Sequence, residues 1–263
     1  MATSPLTALP NFHHFDAPPA WRAIEFISDL HLCAELPRTT QAWQHYLARS
    51  DADAVFILGD LFEAWVGDDA RQEGFEAMAT ESLTRASSLR RVAFMAGNRD
   101  FLVGAEMLQA CGVAALPDPT LLSAWGQRVL LTHGDALCLD DHEYQAFRTT
   151  VRGEAWRDDF LRRPLAERRE LARQMRDASQ ASQRARGPLQ CGDVDGAAAI
   201  AWMNACNSRI LVHGHTHRPG SQALAPGYTR HVLCDWDQDT DAPRAQVLRL
   251  TRDGFARIDL AAS

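Results

Sequence analysis

The chain contains no lysine; all 27 of its basic residues are arginine. Any mechanism that needs a phosphate-loop lysine or a lysine Schiff base is therefore excluded. Cysteine is sparse and scattered (Cys33, Cys111, Cys138, Cys191, Cys206 and Cys234), with no Cys-x-x-Cys pair. Neither a thiolate zinc site nor a disulfide framework is expected, and a reducing cytosol is the expected compartment. No stretch approaches the roughly 18 apolar residues of a membrane span. The formal charge of −7 weighs against a general nucleic-acid partner. Residues 1–22 carry Pro5, Pro10, Pro18 and Pro19 but no basic-then-apolar run. They are expected to form a flexible extension rather than a signal peptide.

What is present is one domain's worth of chain, expected over 23–263. Five short apolar runs predict strands: Ala23–Ser28, Ala54–Leu58, Arg91–Met95, Val129–Thr132 and Ile210–Val212. Helical spacing marks Thr40–Arg49 and Gly74–Leu89. Three further strands, Arg230–Trp236, Ala245–Leu250 and Ala256–Leu260, are expected as sheet edges, with Asp253-Gly254 as a hairpin turn. Strand followed by polar loop, repeated, is the layout of an α/β protein whose site lies at strand ends. Residues 142–192 break that rhythm and are expected to form a helical cap. Ten arginines against six acids between Arg152 and Arg186 leave two readings open, solvated surface helices or a cap that meets an anionic substrate.

Each of the five strands runs into an acid, an amide or a histidine: Asp29-Leu30-His31, Gly59-Asp60, Gly97-Asn98-Arg99-Asp100, His133-Gly134-Asp135 and His213-Gly214-His215-Thr216-His217. Carboxylate, carboxamide oxygen and imidazole together suit manganese, iron or zinc better than calcium. Extended spacing would place Asp29 and His31 on one side of the chain, and His215 and His217 likewise. Two ions about 3.5–4 Å apart need a bridging ligand, for which Asp60, the lone acid at its strand end, is the natural choice.

These five elements in this order resemble the calcineurin-like metallophosphoesterase superfamily over about residues 24–236. The resemblance implies a four-layer αββα sandwich of two mixed sheets flanked by helices. It implies two divalent metal ions, Mn2+ by family habit, the first held by Asp29, His31, Asp60 and His217. The second would be held by Asp60, Asn98, His133 and His215, while His213 falls on no ligand position. Longer runs, GDLFEAWVGDD from Gly59, GNRDFL from Gly97, LTHGDALCLDDHEYQAFR from Leu131 and VHGHTHRP from Val212, resemble the UDP-2,3-diacylglucosamine hydrolases of lipid A synthesis.

That branch implies cleavage of a lipid-linked nucleotide diphosphate at its α-phosphorus by a metal-activated water. Many phosphatases of the superfamily carry Gly-Asn-His where this chain has Gly-Asn-Arg. Arg99 cannot usefully donate a proton, but it can hold a phosphate through two parallel hydrogen bonds. A departing phosphate, with a second pKa near 6, needs no acid. Catalysis is thus expected to centre on Asp60, Asn98 and Arg99. Substrate contacts are implied at Asn98, Arg99, Asp141 and His215, with Ser179, Gln183 and Arg186 in the cap. Tyr144 also matches the branch. Phe62, Trp65 and Val66 are expected in the core, with an acyl groove as the other reading. The resemblance further implies peripheral contact with the cytoplasmic face of the inner membrane and no obligate protein partner. Rival functions are a nucleotide phosphodiesterase or phosphatase on the same fold and, more remotely, a non-catalytic binding module.

Overall fold

Strands β2 (Ala23–Ile27), β3 (Ala54–Leu58) and β4 (Arg91–Met95) are almost uniformly apolar and buried, as parallel strands covered on both faces must be. In the computed structural model, which describes residues 9–186 and 192–260 with the side chains of 178–186 excepted, they form the centre of one six-stranded sheet. That sheet has the order β12-β11-β2-β3-β4-β5, where β5 is Ala114–Ala115, β11 is Gln246–Thr251 and β12 is Gly254–Asp259. The second sheet has the order β1-β6-β7-β8-β10-β9. Its strands are β1 (His13–Asp16), β6 (Thr120–Ala124), β7 (Gln127–Leu131), β8 (Ile210–His213), β9 (Gly220–Ala225) and β10 (Tyr228–Val232).

Strand periodicity sorts the core into layers. Ile24, Phe26, Phe56 and Leu58 point from the first sheet toward Leu122, Val129, Leu131 and Val212 of the second, making the central layer. The alternate residues Ile27, Val55, Ile57 and Val92 face outward onto α1 (Pro37–Arg49), α2 (Gly74–Leu89) and α3 (Ala105–Ala110). Trp43 of α1 is wholly buried there, worth about 3 kcal/mol of apolar burial. On the far side Leu121, Leu130 and Leu211 pack against Trp202 and Met203 of α7 (Gly196–Ala205). The result is the expected four-layer αββα sandwich.

Between β7 and α7 the cap contains α4 (His142–Val151), α5 (Glu154–Leu161) and α6 (Leu165–Arg186). The five core strands fall where expected, to within two residues at each end. Two strand expectations need correction. β10 and β11 are interior strands, because each finds partners on both sides. Within the segment expected as a flexible extension, His13–Asp16 pairs in parallel with Thr120–Ser123, since backbone groups at a sheet edge accept a strand whatever its side chains. The hairpin turn between β11 and β12 falls on Arg252–Asp253.

Candidate metal centre

All five motif loops meet at one end of the two sheets. The β2 and β3 loops are zipped together by Asp29 N to Gly59 O at 3.1 Å, Leu30 N to Asp60 O at 2.9 Å and Leu32 N to Leu61 O at 2.9 Å. The β8 loop joins through two bonds from His215 N to Asp29 Oδ1 and Oδ2, at 3.0 and 2.9 Å. Arg99 N brings in the β4 loop by donating to Asp60 Oδ1 at 2.8 Å.

The backbone here is strained. Asp29, His31, Asp60, His215 and His217 all have φ between 50° and 66°, and they are five of the seven non-glycine residues with positive φ among those described. Each such residue costs about 1–3 kcal/mol, and persists only where its surroundings over-determine it. The zipper bonds supply that constraint. The extended spacing expected to put Asp29 and His31 on one side is therefore not the cause; left-handed turns at both residues aim them. Two glycines are required by close approach. A Cβ on Gly97 would collide with Asp60, and one on Gly214 with the Asp29 carboxylate and Ser28.

The side chains converge in two clusters. Around Asn98, its Oδ1 lies 2.9 Å from His133 Nε2 and 2.8 Å from His215 Nδ1, and His133 Nε2 is 3.6 Å from Asp60 Oδ1. Around Asp29, His217 Nε2 lies 3.4 Å from Oδ1 and 3.3 Å from His31 Nε2. The potential ligand atoms of Asp29, His31 and His217 lie within 4.8 Å of one another, as do those of Asp29, Asp60 and His133. His133 Nδ1–H donates to Leu58 O at 2.9 Å, which leaves Nε2 to face Asn98 with its lone pair when the ring is neutral. Lone pairs of nitrogen and oxygen aimed at one another are the donor arrangement that a shared cation satisfies, so the residues present fit divalent metals.

The charges agree. Burial works against a charged His133, yet Asp60, Asp29 and Asp135 push it up to about 9. Burial and the neighbouring His133 bring His215 down to about 4. Burial would raise Asp29, but the hydrogen bond from His217 and the charges of His133, His217 and His31 hold it far below the usual range. His213 does not join the ligands. It is fully buried with Nδ1 against Gly214 O at 2.9 Å, and burial takes it down to about 4.

Three acids to which the sequence reading gave no role stand around the clusters. Asp100, wholly buried, accepts from Gly97 N and Leu61 N, both at 2.8 Å, and so ties the β3 and β4 loops together. Burial and the adjacent Asp60 push it up to about 7. Asp135, also wholly buried, receives Tyr144 Oη at 2.6 Å, Arg148 Nε at 2.8 Å and Arg152 Nη2 at 3.2 Å, fixing α4 to the His133 loop. Glu63 stands 3.1 Å from His31 Nδ1. Asp100 and Asp135 lie within the motif loops and Glu63 within the run from Gly59, and that placement was their only signal.

Arg99 carries no salt bridge among the described residues, and its buried Nε has no hydrogen-bond partner there. Asp100, next in sequence, is taken by backbone N–H groups. Asp141 caps α4, accepting from Tyr144 N at 3.1 Å. The side chains of Ser179, Gln183 and Arg186 lie outside the described residues. Phe62, Trp65 and Val66 are 1%, 2% and 5% exposed, hence core and not groove. Three cap arginines turn inward to carboxylates of the body, Arg168 to Asp69, Arg169 to Glu73 and Glu76, and Arg176 to Glu63, whereas Arg162, Arg163 and Arg173 pair with acids of the cap itself.

Comparisons with known proteins bear on this assembly. A protein of Xanthomonas campestris pv. campestris named UDP-2,3-diacylglucosamine hydrolase is 42% identical, covering 90% of this chain and 98% of its own. One of the same name from Bordetella pertussis is 40% identical, covering 92% and 95%. Among solved structures, vacuolar protein sorting 29 from Cryptosporidium parvum aligns over 91% of this chain and 97% of its own, at 15% identity and a TM-score of 0.47. The profile of the calcineurin-like phosphoesterase family matches residues 24–219, which hold every residue of both clusters. The chain belongs to the calcineurin-like phosphoesterase family.

Proposed function

We propose that this chain hydrolyses UDP-2,3-diacylglucosamine, yielding UMP and 2,3-diacylglucosamine 1-phosphate for lipid A synthesis. The observation that carries the substrate is the likeness to hydrolases of that name over nearly the whole chain, cap included. Asp29, His31, Asp60 and His217 would hold one divalent ion, and Asp60, Asn98, His133 and His215 a second, with manganese suited to this mixed oxygen and nitrogen set. Bound there, the ions supply Lewis acidity and lower the pKa of the attacking water.

The chain's own groups do the rest. Asp60, held by Arg99 N, keeps the two clusters in register. The Arg99 guanidinium would take up charge on the phosphate oxygens, consistent with a buried Nε that has no hydrogen-bond partner among the described residues. Water's oxygen, giving up a proton to solvent, bonds to the α-phosphorus as the bond to the bridging oxygen breaks, and the electron pair leaves with the sugar phosphate. That group needs no proton from the enzyme, consistent with arginine where other members have histidine. Asp141 sits at the cap's base, and Ser179, Gln183 and Arg186 on α6 are the remaining proposed substrate contacts. No helix among the described residues is long and apolar enough to cross a membrane. Contact with the lipid substrate is proposed to be peripheral, on the cytoplasmic face of the inner membrane.

The test is phosphorus NMR with manganese and UDP-2,3-diacylglucosamine in oxygen-18 water. Label in UMP is expected. Label in the sugar phosphate would overturn attack at the α-phosphorus. Brisk cleavage of simple phosphodiesters without turnover of the lipid would sink the substrate.

A further inference from the structure

Glu63 is placed by the same zipper that builds the centre. Its N–H donates to Leu32 O at 3.1 Å, and Leu32 bridges Phe62 in parallel, so the Glu63 and His31 loops are fixed side by side. The Glu63 side chain is only 12% exposed and has two partners. Oε2 lies 3.1 Å from His31 Nδ1, and Oε1 lies 2.8 Å from Arg176 Nε on α6. Both are charge contacts rather than aligned hydrogen bonds; with an ion on Nε2, the ring's one proton would sit on Nδ1, beside this carboxylate. The carboxylate thus touches a candidate ligand on one side and the cap on the other. A half-exposed arginine pair is worth only about 0–1 kcal/mol in stability, too little to account for burying Glu63.

We propose that Glu63 is a positioning residue that couples docking of helix α6 to the affinity of the metal position built on His31. Arg176 fixes the carboxylate, the carboxylate aims the imidazole, and the imidazole binds the ion. Linkage makes the coupling reciprocal: an ion at His31 tightens the helix, and a released helix loosens the ion. The inference rests on His31 being a metal ligand, as proposed above.

The experiment uses the full chain stripped by chelator and titrated with manganese alone, by calorimetry and by the spin resonance of free manganese. Hydrogen exchange of residues 165–177 is followed with and without the ion. Glu63→Gln is expected to weaken one of the two manganese steps about 10- to 100-fold. Arg176→Gln should weaken the same step about fivefold, and Arg176→Lys should restore it. Manganese should slow exchange in 165–177 of the wild type but not of Glu63→Gln. Should Glu63→Gln fail to fold, Arg176→Gln on the half-exposed helix face decides alone. Wild-type affinity in both variants, or exchange in 165–177 indifferent to manganese, overturns the coupling. A His31→Ala chain that binds two ions as the wild type does would instead remove the ligand assignment beneath it.

Discussion

The strand-end loops and the cap lie against each other yet are held by different forces. In the loops, Asp29, Asp60, Asp100 and His133 are at most 2% exposed; short bonds from backbone N–H groups fix the three carboxylates, and His133 Nδ1–H donates to Leu58 O. Five strained residues share that frame. The cap is held both by apolar packing of Phe160, Trp156, Leu165 and Leu171 on the core and by long arginine side chains reaching to Asp135, Asp69, Glu73, Glu76 and Glu63. It also keeps Phe147, Leu161 and Met175 more than a third exposed. Backbone-mediated bonds inside a packed core open only with the fold, whereas ion pairs at a rim open locally and weaken with salt. The proposed chemistry, which needs ångström precision, would thus sit on the loops, while the cap proposed to meet the substrate adds charge tethers to its apolar contacts.

The largest break in this comparison comes from the loops. Asp60→Ala should cut activity by more than the roughly 100-fold that an outer partner of a metal ligand costs, because it removes the carboxylate proposed to bridge the two ions. Turnover at saturating manganese measures it. Arg99→Gln comes next. Losing one charge-assisted contact made to the transition state should lower kcat/KM about 100-fold with manganese affinity unchanged, so a fall in both would place Arg99 among the metal's supports instead. Gly97→Ala tests the frame itself. The new Cβ presses on Asp60, and a cost of about 1–3 kcal/mol should appear in thermal unfolding even without metal.

The pH dependence separates the frame from the ions it would hold. His133 is pushed up to about 9 in the fold, above its ordinary 6.5. A raised pKa means that its stabilising share is complete below 6.5 and is lost as pH rises through about 9. Asp100, pushed up to about 7, acts in the same direction, its share being lost as pH rises through 7. Chelator-stripped protein should therefore melt progressively lower from pH 6.5 to 9.5. A metal needs His133 without its proton, so manganese affinity should rise over the same interval and binding at pH 7.5 should release about one proton. Melting curves with and without manganese that run parallel across this range would show that His133 is not among the ligands.

Much of this was legible. Ala54–Leu58 and Arg91–Met95 are apolar runs that can only be buried strands, and a motif residue follows each, so the loops announced themselves. His13–Asp16 did not, because an edge strand with mostly exposed side chains pairs through backbone alone and leaves no alternation to read. Thr120–Ala124 was missed although Trp125-Gly126 makes a turn into β7; both residues have positive φ there. The ligand types were plain from chemistry, but the left-handed backbone beneath them was not, since it depends on bonds to loops distant in the chain. The cap arginines show the same limit. Their number suggested an anion, while their partners, Asp69 and Glu63, are about a hundred residues away in sequence.

The smallest effect expected is also the most asymmetric. Arg168 has a side chain only 3% exposed, whereas its partner Asp69 is 59% exposed. Besides Asp69, the guanidinium donates to Val66 O at 2.5 Å and to Arg163 O at 2.9 Å. Removing Asp69 leaves a buried cation with only neutral carbonyls, and removing Arg168 leaves an anion that water already reaches. Breaking a buried pair is costly chiefly for the charge left behind. Asp69→Ala should therefore destabilise by about 1–3 kcal/mol, and Arg168→Met, which keeps the packed stem, by under about 1 kcal/mol. Chemical denaturation of the two variants and of the double variant measures this. If the double variant is as stable as Arg168→Met alone, the cost of Asp69→Ala lies in the stranded guanidinium, and this cap tether serves position more than stability. If the two single variants lose equally, the pair behaves as an ordinary surface salt bridge and the contrast between loops and cap is weaker at this point.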